Sequence, residues 1–261
     1  MPIAKVNGIS INYRVEGHGE PLVMISGFSA TMDGWKYQTP PFKKHFQLIT
    51  MDNRGVGKTD KPQGPYSIEM MADDTIGLMD YLNIKKAHIL GISMGGAIAQ
   101  EIAIHFPERV LKLILISTWA GQDNGLNGLS PETLEGTKLP VRRGTSRLVD
   151  LSFNKLLRRI IYVPLIRIQI NRMSKPEATG ITGQTDACLS HNTLNRLPLI
   201  NAPTLVIAGT KDRVVKPTSS ETIARNIPNA RLVKINNGSH AVFMEINKVV
   251  NKEVLSFLIT D

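Results

Sequence analysis

Apolar residues occur along the chain in short runs with two kinds of spacing. Every second residue from Ile9 to Val15 is apolar or aromatic, and Asn7-Gly8 stands directly before this segment. Alternation with a period of two predicts a half-buried strand, and Asn-Gly is a signal for a two-residue hairpin turn. The chain is therefore expected to open as an antiparallel β-hairpin.

Six later runs are apolar at nearly every position, which is typical of strands buried on both faces of a sheet. They are Leu22–Ile25, Gln47–Met51, Ala87–Leu90, Leu111–Ile116, Thr204–Ala208 and Arg231–Ile235. Helix signals lie between them: Ser67 precedes apolar residues at helical spacing, and Pro107 ends a helix that begins near Met94. The alternation predicts an α/β fold in which helices cover both faces of a mostly parallel sheet.

The alternation of strands and helices stops between about Thr118 and Pro198. In this part of the chain basic and apolar residues mix at helical spacing, and no clean strand pattern is recognisable. The change predicts a core made of residues 1–118 and 199–261, interrupted by an inserted helical cap over residues 119–198.

The overall composition indicates an ordinary globular chain. Its 261 residues are 42% hydrophobic and 20% charged, which suits one sizeable α/β core. A single cysteine, Cys188, excludes an internal disulfide, and no close set of Cys and His predicts a metal site. The first fifteen residues lack a secretory signal, and the interrupted stretch Ile160–Ile170 is too short to span a membrane, so we expect a cytoplasmic protein.

Positive charge is concentrated in one part of the sequence. Lysine and arginine number 31 against 22 acidic residues, which gives a net charge of +9. The segment from Lys138 to Lys175 contains ten basic residues and a single acid, Asp150, and so accounts for the whole excess. Within it, apolar residues between Leu148 and Val163 are interspersed with bases at spacings that predict a basic amphipathic helix.

Two interpretations of this basic helix stay open. In one, it buries its apolar face over the active site and exposes its charges to water. In the other, its surface docks on anionic lipid or attracts acidic substrates. Nucleic acid is not expected as a partner, because no nucleic-acid-binding module accompanies the charge.

The most informative motif joins the run Ala87–Leu90 to a helix pattern. It reads Gly91-Ile92-Ser93-Met94-Gly95, a Gly-x-Ser-x-Gly sequence. On such a turn the serine takes a strained backbone conformation, and small residues two positions away let strand and helix approach each other. Ser93 is the predicted nucleophile, Gly91 and Gly95 shape the turn, and the Met94 amide is a predicted oxyanion donor.

An acid and a base should follow the serine, each just after a later strand. Asp212 follows the fifth buried run and His240 follows the sixth. In this interpretation His240 takes the proton of Ser93, and Asp212 orients the imidazole. Asp123 is the reserve candidate for the acid.

A second oxyanion donor is expected in the turn after an early strand. Ser26-Gly27-Phe28 follows the first buried run. Gly27 permits an unusual backbone conformation, and the Phe28 amide is the predicted donor. Gly27, together with Trp119 at the start of the cap, is also a candidate for the substrate pocket.

Together these motifs resemble those of α/β-hydrolase-fold enzymes of the serine esterase and lactonase type. The loop Asp52–Pro62 resembles the family's Asp-x-Arg-Gly-x-Gly loop, and Ala202–Ile207 resembles its approach to the acid strand. The resemblance covers nearly the whole chain and implies an eight-stranded sheet and no cofactor. The chain departs from the family pattern at Ser26 and Ile92, where histidine is common.

The sequence thus predicts a serine hydrolase that cleaves a small-molecule carboxylic ester through an acyl-enzyme. Two alternatives stay open. One is a lactone or enol-lactone hydrolase with the same triad. The other is a ligand-sensing receptor on the same fold, in which slow hydrolysis serves sensing.

Overall fold

A computed structural model describes residues 2–122, 128–154 and 156–260 of the chain. Eight strands form one sheet in the order β1-β2-β4-β3-β5-β6-β7-β8. The pairs β1–β2 and β2–β4 are antiparallel and the others are parallel, which confirms the predicted mostly parallel sheet. The strands are β1 Ile3–Val6, β2 Ile9–Glu16, β3 Glu20–Ile25, β4 Phe46–Met51, β5 Ala87–Ile92, β6 Val110–Ile116, β7 Thr204–Gly209 and β8 Ala230–Ile235.

Helices cover both faces of this sheet and fill the connection between β6 and β7. Short 3₁₀ turns add to them at Met32–Trp35, Pro107–Arg109 and Leu194–Leu199. The α-helices are α1 Thr39–Phe42, α2 Ile68–Tyr81, α3 Met94–His105, α4 Pro131–Thr137, α5 Val141–Ser152, α6 Leu156–Asn171, α7 Lys175–Ser190, α8 Pro217–Asn226, α9 Val242–Glu245 and α10 Asn247–Ile259.

The core lies in two apolar layers, one on each face of the sheet. Alternate residues of a strand point to opposite faces. In β3, Val23 belongs to the layer that contains α2, α3 and α8, whereas Leu22 and Met24 belong to the layer that contains α1 and α10. Strands buried on both sides explain why the six internal runs are apolar at nearly every position.

Local signals in the sequence are confirmed where they predicted turns and helix ends. Asn7 and Gly8 both have positive φ, as the tight turn between β1 and β2 requires. The Ser67 hydroxyl accepts a hydrogen bond from the Met70 amide at 3.2 Å and caps α2. The helix α3 ends at His105, two residues before Pro107.

The chain between β6 and β7 contains α4 to α7 and the 3₁₀ turn that ends at Leu199. We call residues 119–198 the helical insertion; the division into a core and a separate cap domain stays a prediction. Asp123, the reserve acid, lies outside the described residues.

The prediction of one basic amphipathic helix through Leu148–Val163 was wrong. The structure has two helices, α5 and α6, which are separated at Phe153 and Asn154. Phe153 is extended and buried, and its ring stacks on Tyr162. The Asn154 amide donates to the carboxylate of Glu245 at 3.1 Å instead of continuing a helical ladder. Tertiary hydrogen bonds therefore override the helical spacing of the sequence.

The end of the helical insertion is tied to the core by a buried carboxylate. Glu101 of α3 is fully buried and accepts two hydrogen bonds from the Arg196 guanidinium, at 2.8 and 2.7 Å. Burial raises the pKa of Glu101, and the Arg196 guanidinium opposes this shift. The pair fixes the return of the chain from the helical insertion to β7.

Substitution of Arg196 by methionine should destabilise the fold, because it leaves the Glu101 carboxylate buried without its counter-ion. We expect the free energy of unfolding in urea at neutral pH to fall by about 2 to 3 kcal/mol. Arg231→Met is the matched control, since the Arg231 side chain is 53% exposed beside Glu253. Its loss should cost less than about 1 kcal/mol. Equal losses in the two variants would contradict the assignment.

Candidate active site

The turn between β5 and α3 holds Ser93 in a strained conformation. Its φ of 54° and ψ of −121° are rare for a residue with a side chain and cost on the order of 1–3 kcal/mol. A Cβ added to Gly91 would lie 2.1 Å from the Gly95 carbonyl oxygen, and one added to Gly95 would lie 2.1 Å from that of Ile25. Neither position has room for a side chain, so both must be glycine. The Ser93 amide donates a hydrogen bond to the Ile116 carbonyl at 2.9 Å, which holds the turn in place.

Three side chains predicted from separate parts of the sequence lie in one hydrogen-bonded row. His240 Nε2 is 3.0 Å from Ser93 Oγ, and His240 Nδ1 is 2.8 Å from Asp212 Oδ2. Asp212 follows β7 and His240 follows β8, at the carboxyl edge of the sheet where Ser93 follows β5. The row can take a proton from the serine hydroxyl and stabilise the resulting imidazolium.

Backbone amides fix the carboxylate of Asp212. Its second oxygen, Oδ1, accepts hydrogen bonds from the amides of Val214 at 2.8 Å and Val215 at 3.0 Å. With Oδ1 held, Oδ2 is free to face the imidazole. The Lys211 amide also donates to the Gly238 carbonyl at 2.8 Å, so the acid loop and the histidine loop are joined directly.

The buried carboxylate of Glu245 holds the loop that carries His240 in place. The Ser239 hydroxyl donates to Glu245 Oε2 at 2.6 Å, and the Asn154 amide donates to Glu245 Oε1 at 3.1 Å. The Ala241 amide donates to the Ser152 carbonyl at 3.0 Å. The break between α5 and α6 is therefore part of the scaffold that positions the histidine.

The same break also contacts the acid loop. The Asn154 side-chain amide donates to the Lys211 carbonyl at 3.0 Å. Asn154 of the helical insertion thus bonds directly to the acid loop and is joined to the histidine loop through Glu245.

The turn after β3 lies against the serine. A Cβ added to Gly27 would come within 3.2 Å of Ser93 Cβ and 3.3 Å of the Ile92 carbonyl oxygen. Within the part of the chain that the structure describes, the amides of Phe28 and Met94 donate to no protein acceptor. Two unpaired N–H groups beside a serine are the arrangement that an oxyanion requires.

Side chains that the sequence analysis missed hold this turn in place. Asn53 donates to the Ser26 carbonyl at 2.9 Å. Gln184, from α7 of the helical insertion, accepts from the Ser29 amide and donates to the Arg54 carbonyl, both at 2.9 Å. Asn53 stands in the recognised Asp-x-Arg-Gly loop, but no sequence signal marks Gln184, because its partners are far away along the chain.

A cavity of about 230 Å³ opens over Ser93. Its wall comes from the core and from α4, α5 and α7. Trp119 lines this cavity, whereas Gly27 packs against Ser93 and is not part of the wall. That the cavity binds the substrate stays a prediction. The apolar lining includes Phe28, Trp119, Leu129, Leu148, Ile181 and Val214, and the polar lining includes Glu132, Arg147 and Asp186.

Two buried titratable groups near the cavity are neutral at physiological pH. Burial raises the pKa of the Cys188 thiol to about 12, so this cysteine of the cavity wall remains protonated. Burial lowers the pKa of His191 to about 4, and its ring meets Trp119 edge-on at 5.9 Å. At neutral pH the wall therefore presents no thiolate at Cys188 and no imidazolium at His191.

Over the described ranges, no group of three or more His, Cys, Asp or Glu side chains has a geometry that could hold a metal ion. The candidate chemistry rests on the serine, the histidine, the aspartate and backbone amides.

A serine on a strained strand-to-helix turn, at the carboxyl edge of a mostly parallel eight-stranded sheet, is typical of one large class of hydrolases. Residues 20–245 match the model of the α/β hydrolase fold family, and the chain belongs to that family. The predicted fold and the resemblance drawn from the motifs are confirmed.

Relatives extend over nearly the whole chain. BpoC of Mycobacterium tuberculosis, which carries the name of a non-heme bromoperoxidase, is 30% identical over 256 residues, 95% of this chain and 97% of its own. The 3-oxoadipate enol-lactonase 2 of Acinetobacter baylyi is 27% identical over 94% of this chain and 92% of its own. The crystal structure of the enol-lactonase from Burkholderia xenovorans matches with a TM-score of 0.87 and 27% identity. The match covers 99% of this chain and 100% of the enol-lactonase. Family and relatives support a hydrolase function.

Glu245→Gln should impair the positioning of His240. Glutamine has an amide NH2 group in place of one carboxylate oxygen, so it offers no acceptor at one of the two positions that the Ser239 hydroxyl and the Asn154 amide now contact. We expect kcat on a chromogenic ester to fall roughly tenfold with little change in KM, because the histidine loop is displaced while the cavity is intact. Steady-state kinetics measure both constants.

The control for this variant is Glu253→Gln on α10, which should leave kcat unchanged. A melting temperature that falls in Glu245→Gln while kcat stays at the wild-type value would show that Glu245 supports stability alone.

Proposed function

We propose that the chain is a serine hydrolase that cleaves carboxylic esters through an acyl-enzyme. The observation that carries the proposal is the continuous row from Ser93 through His240 to Asp212, in which the serine lines the cavity. A serine hydroxyl is a weak nucleophile until an adjacent base takes its proton, and the 3.0 Å contact with His240 supplies that base.

Acylation begins with attack of Ser93 Oγ on the ester carbonyl. The serine proton passes to His240 Nε2, and Asp212 stabilises the imidazolium through Nδ1. The carbonyl oxygen becomes an oxyanion, to which the amides of Phe28 and Met94 donate. The imidazolium then protonates the leaving alcohol, and the acyl group remains on Ser93.

Deacylation repeats these steps with water. His240 takes a proton from the water, the hydroxide attacks the acyl carbonyl, and the same two amides stabilise the second oxyanion. Return of the proton to Ser93 releases the acid and restores the free enzyme. No cofactor takes part in this scheme.

The helical insertion acts as the cap in this proposal. Its helices α4, α5 and α7 supply most of the residues that line the cavity. The apolar lining suits a substrate with an apolar acyl or alcohol group, since burial of each methylene contributes about 0.8 kcal/mol. The polar side chains Glu132, Arg147 and Asp186 come from the cap helices.

Lactone hydrolysis is the second candidate function. The names of the Acinetobacter and Burkholderia relatives favour it, since both are enol-lactonases. The same nucleophile opens a lactone, but the alcohol then stays attached to the acyl group. An ester and lactone panel therefore separates the two substrates while testing one mechanism.

Ser93→Ala should abolish turnover on every ester or lactone that the wild type hydrolyses. We expect kcat to fall by roughly 10⁶, the scale on which removal of a triad serine acts. Steady-state turnover of the panel is the measurement, and Ser256→Ala, at an exposed position of α10, is the matched control. Retention of a tenth of the activity would refute the serine mechanism. A single slow burst without turnover in the wild type would favour the sensing receptor instead.

Leu148→Trp should shorten the cavity and change the preferred acyl length. The larger ring takes space in the wall contributed by α5. Loss of room for two methylenes corresponds to roughly a tenfold fall in kcat/KM for the longer esters, with short esters little affected. Val249→Trp, on the exposed side of α10, is the control. A uniform fall across all acyl lengths would contradict the assigned position of Leu148.

A further inference from the structure

Helix α6 of the helical insertion is apolar on two opposite sides. Its inner side carries the buried Val163 and the half-buried Tyr162 and Ile166. These side chains pack against Phe153 and Ala241. Arg167 and Gln169 lie between the two apolar sides, so α6 does not have the single apolar side and opposite polar side that a surface helix usually shows.

The opposite side of α6 is not enclosed by the described part of the chain. Three of its apolar side chains are between 46% and 58% exposed. With 3.6 residues per turn, they lie within about 60° of one another and about 140° or more from Val163 around the helix axis. We call this surface the outer face of α6; it consists of Ile161, Leu165 and Ile168.

Cations surround the end of this face. Arg142 of α5 donates to the Met173 carbonyl at 2.7 Å, just beyond α6. Arg142 and Arg143 share a surface depression with Asn171, the last residue of α6. Through its tertiary contacts the fold therefore brings the bases of α5 to the carboxyl end of α6.

These cations lack acidic partners. Asp150, the single acid between Lys138 and Lys175, is taken by Arg167 at 2.5 Å. Among the residues that the structure describes, Arg143, Arg172 and Lys175 form no ion pair. The apolar outer face thus borders a region of uncompensated positive charge.

We propose that the outer face of α6 docks on the surface of a bilayer that contains anionic lipid. A helix of 16 residues is about 24 Å long and can lie in the headgroup region with its aliphatic side chains in the acyl boundary. Nearby arginine and lysine side chains then meet anionic headgroups. None of the helices in the described ranges is long and apolar enough to cross a membrane.

Charge selects the lipid surface over a second copy of the chain. Two copies joined through this face would bring two positive regions together, and like charges at an interface oppose association. An anionic bilayer provides both an apolar acyl region for the aliphatic side chains and negative headgroups for the basic ones. The two contributions together exceed what either gives alone, as stable membrane anchoring requires.

Docking would also place the site next to the lipid. The inner side of α6 packs on Ala241, the residue after His240, so about one helix diameter, roughly 10 Å, separates the histidine loop from the membrane surface. If the proposed function holds, esters dissolved in the bilayer are the accessible substrate class. The docking itself does not depend on catalysis.

Vesicle flotation tests the docking. The Ser93→Ala protein is used because it should not hydrolyse the lipids during the measurement. We expect binding to vesicles of phosphatidylcholine mixed with phosphatidylglycerol, weaker binding to phosphatidylcholine alone, and release as salt increases. Equal binding to both compositions, or no binding to either at low salt, overturns the proposal.

Variants test the assigned face. Ile161→Gln with Leu165→Gln should weaken binding to the anionic vesicles at least about tenfold, because two exposed aliphatic groups no longer enter the lipid. Val249→Gln with Ile259→Gln removes comparably exposed aliphatic groups from α10 and should leave binding unchanged. Arg143→Gln with Arg172→Gln should weaken binding and flatten its salt dependence.

Two further results would overturn the assignment. One is a control pair that weakens binding as much as the α6 pair does. The other is a dimer in sedimentation velocity that the Ile161→Gln, Leu165→Gln protein loses, without vesicle binding by the parent. Circular dichroism and melting of each variant confirm that the comparison is between folded proteins.

Discussion

The backbone at Ser93 is the constraint on which the rest of the site depends. A positive φ at a residue with a side chain persists only when its surroundings leave no alternative. Here the carbonyls of Gly95 and Ile25 occupy the space where a Cβ on Gly91 or Gly95 would lie. The turn projects Oγ above the sheet edge, and parallel strands deliver Asp212 and His240 to the same edge from distant parts of the chain.

Desolvation decides the charge of two groups beside the hydrogen-bonded row. It raises the pKa of Cys188 and lowers that of His191, so both nearby groups are neutral at physiological pH. The Asp212 carboxylate is held in a different way, by hydrogen bonds from two backbone amides in addition to its contact with the imidazole.

The sequence reveals the parts of the fold that follow from local rules. Strand runs, the Asn7-Gly8 turn and the Ser67 cap depend on neighbours within a few residues, so periodicity and turn chemistry suffice to predict them. Motif order likewise located Ser93, Asp212 and His240, which the structure brings together.

Sequence patterns fail where long-range bonds override local preference. The spacing from Leu148 onward is helical, yet the chain breaks at Phe153 because Asn154 bonds to Glu245 and Lys211. Nothing near Gln184 in the sequence shows that it bridges the turn after β3 to the loop at Arg54.

The bonds of Asn154 and Gln184 also mean that the helical insertion could not be transplanted between family members by joining the chain at its two ends alone. A chimera would need residues that replace Asn154 and Gln184 in the new insertion and their bonding partners in the core. We therefore expect the residues that line the cavity and those that align the site to evolve together in this chain.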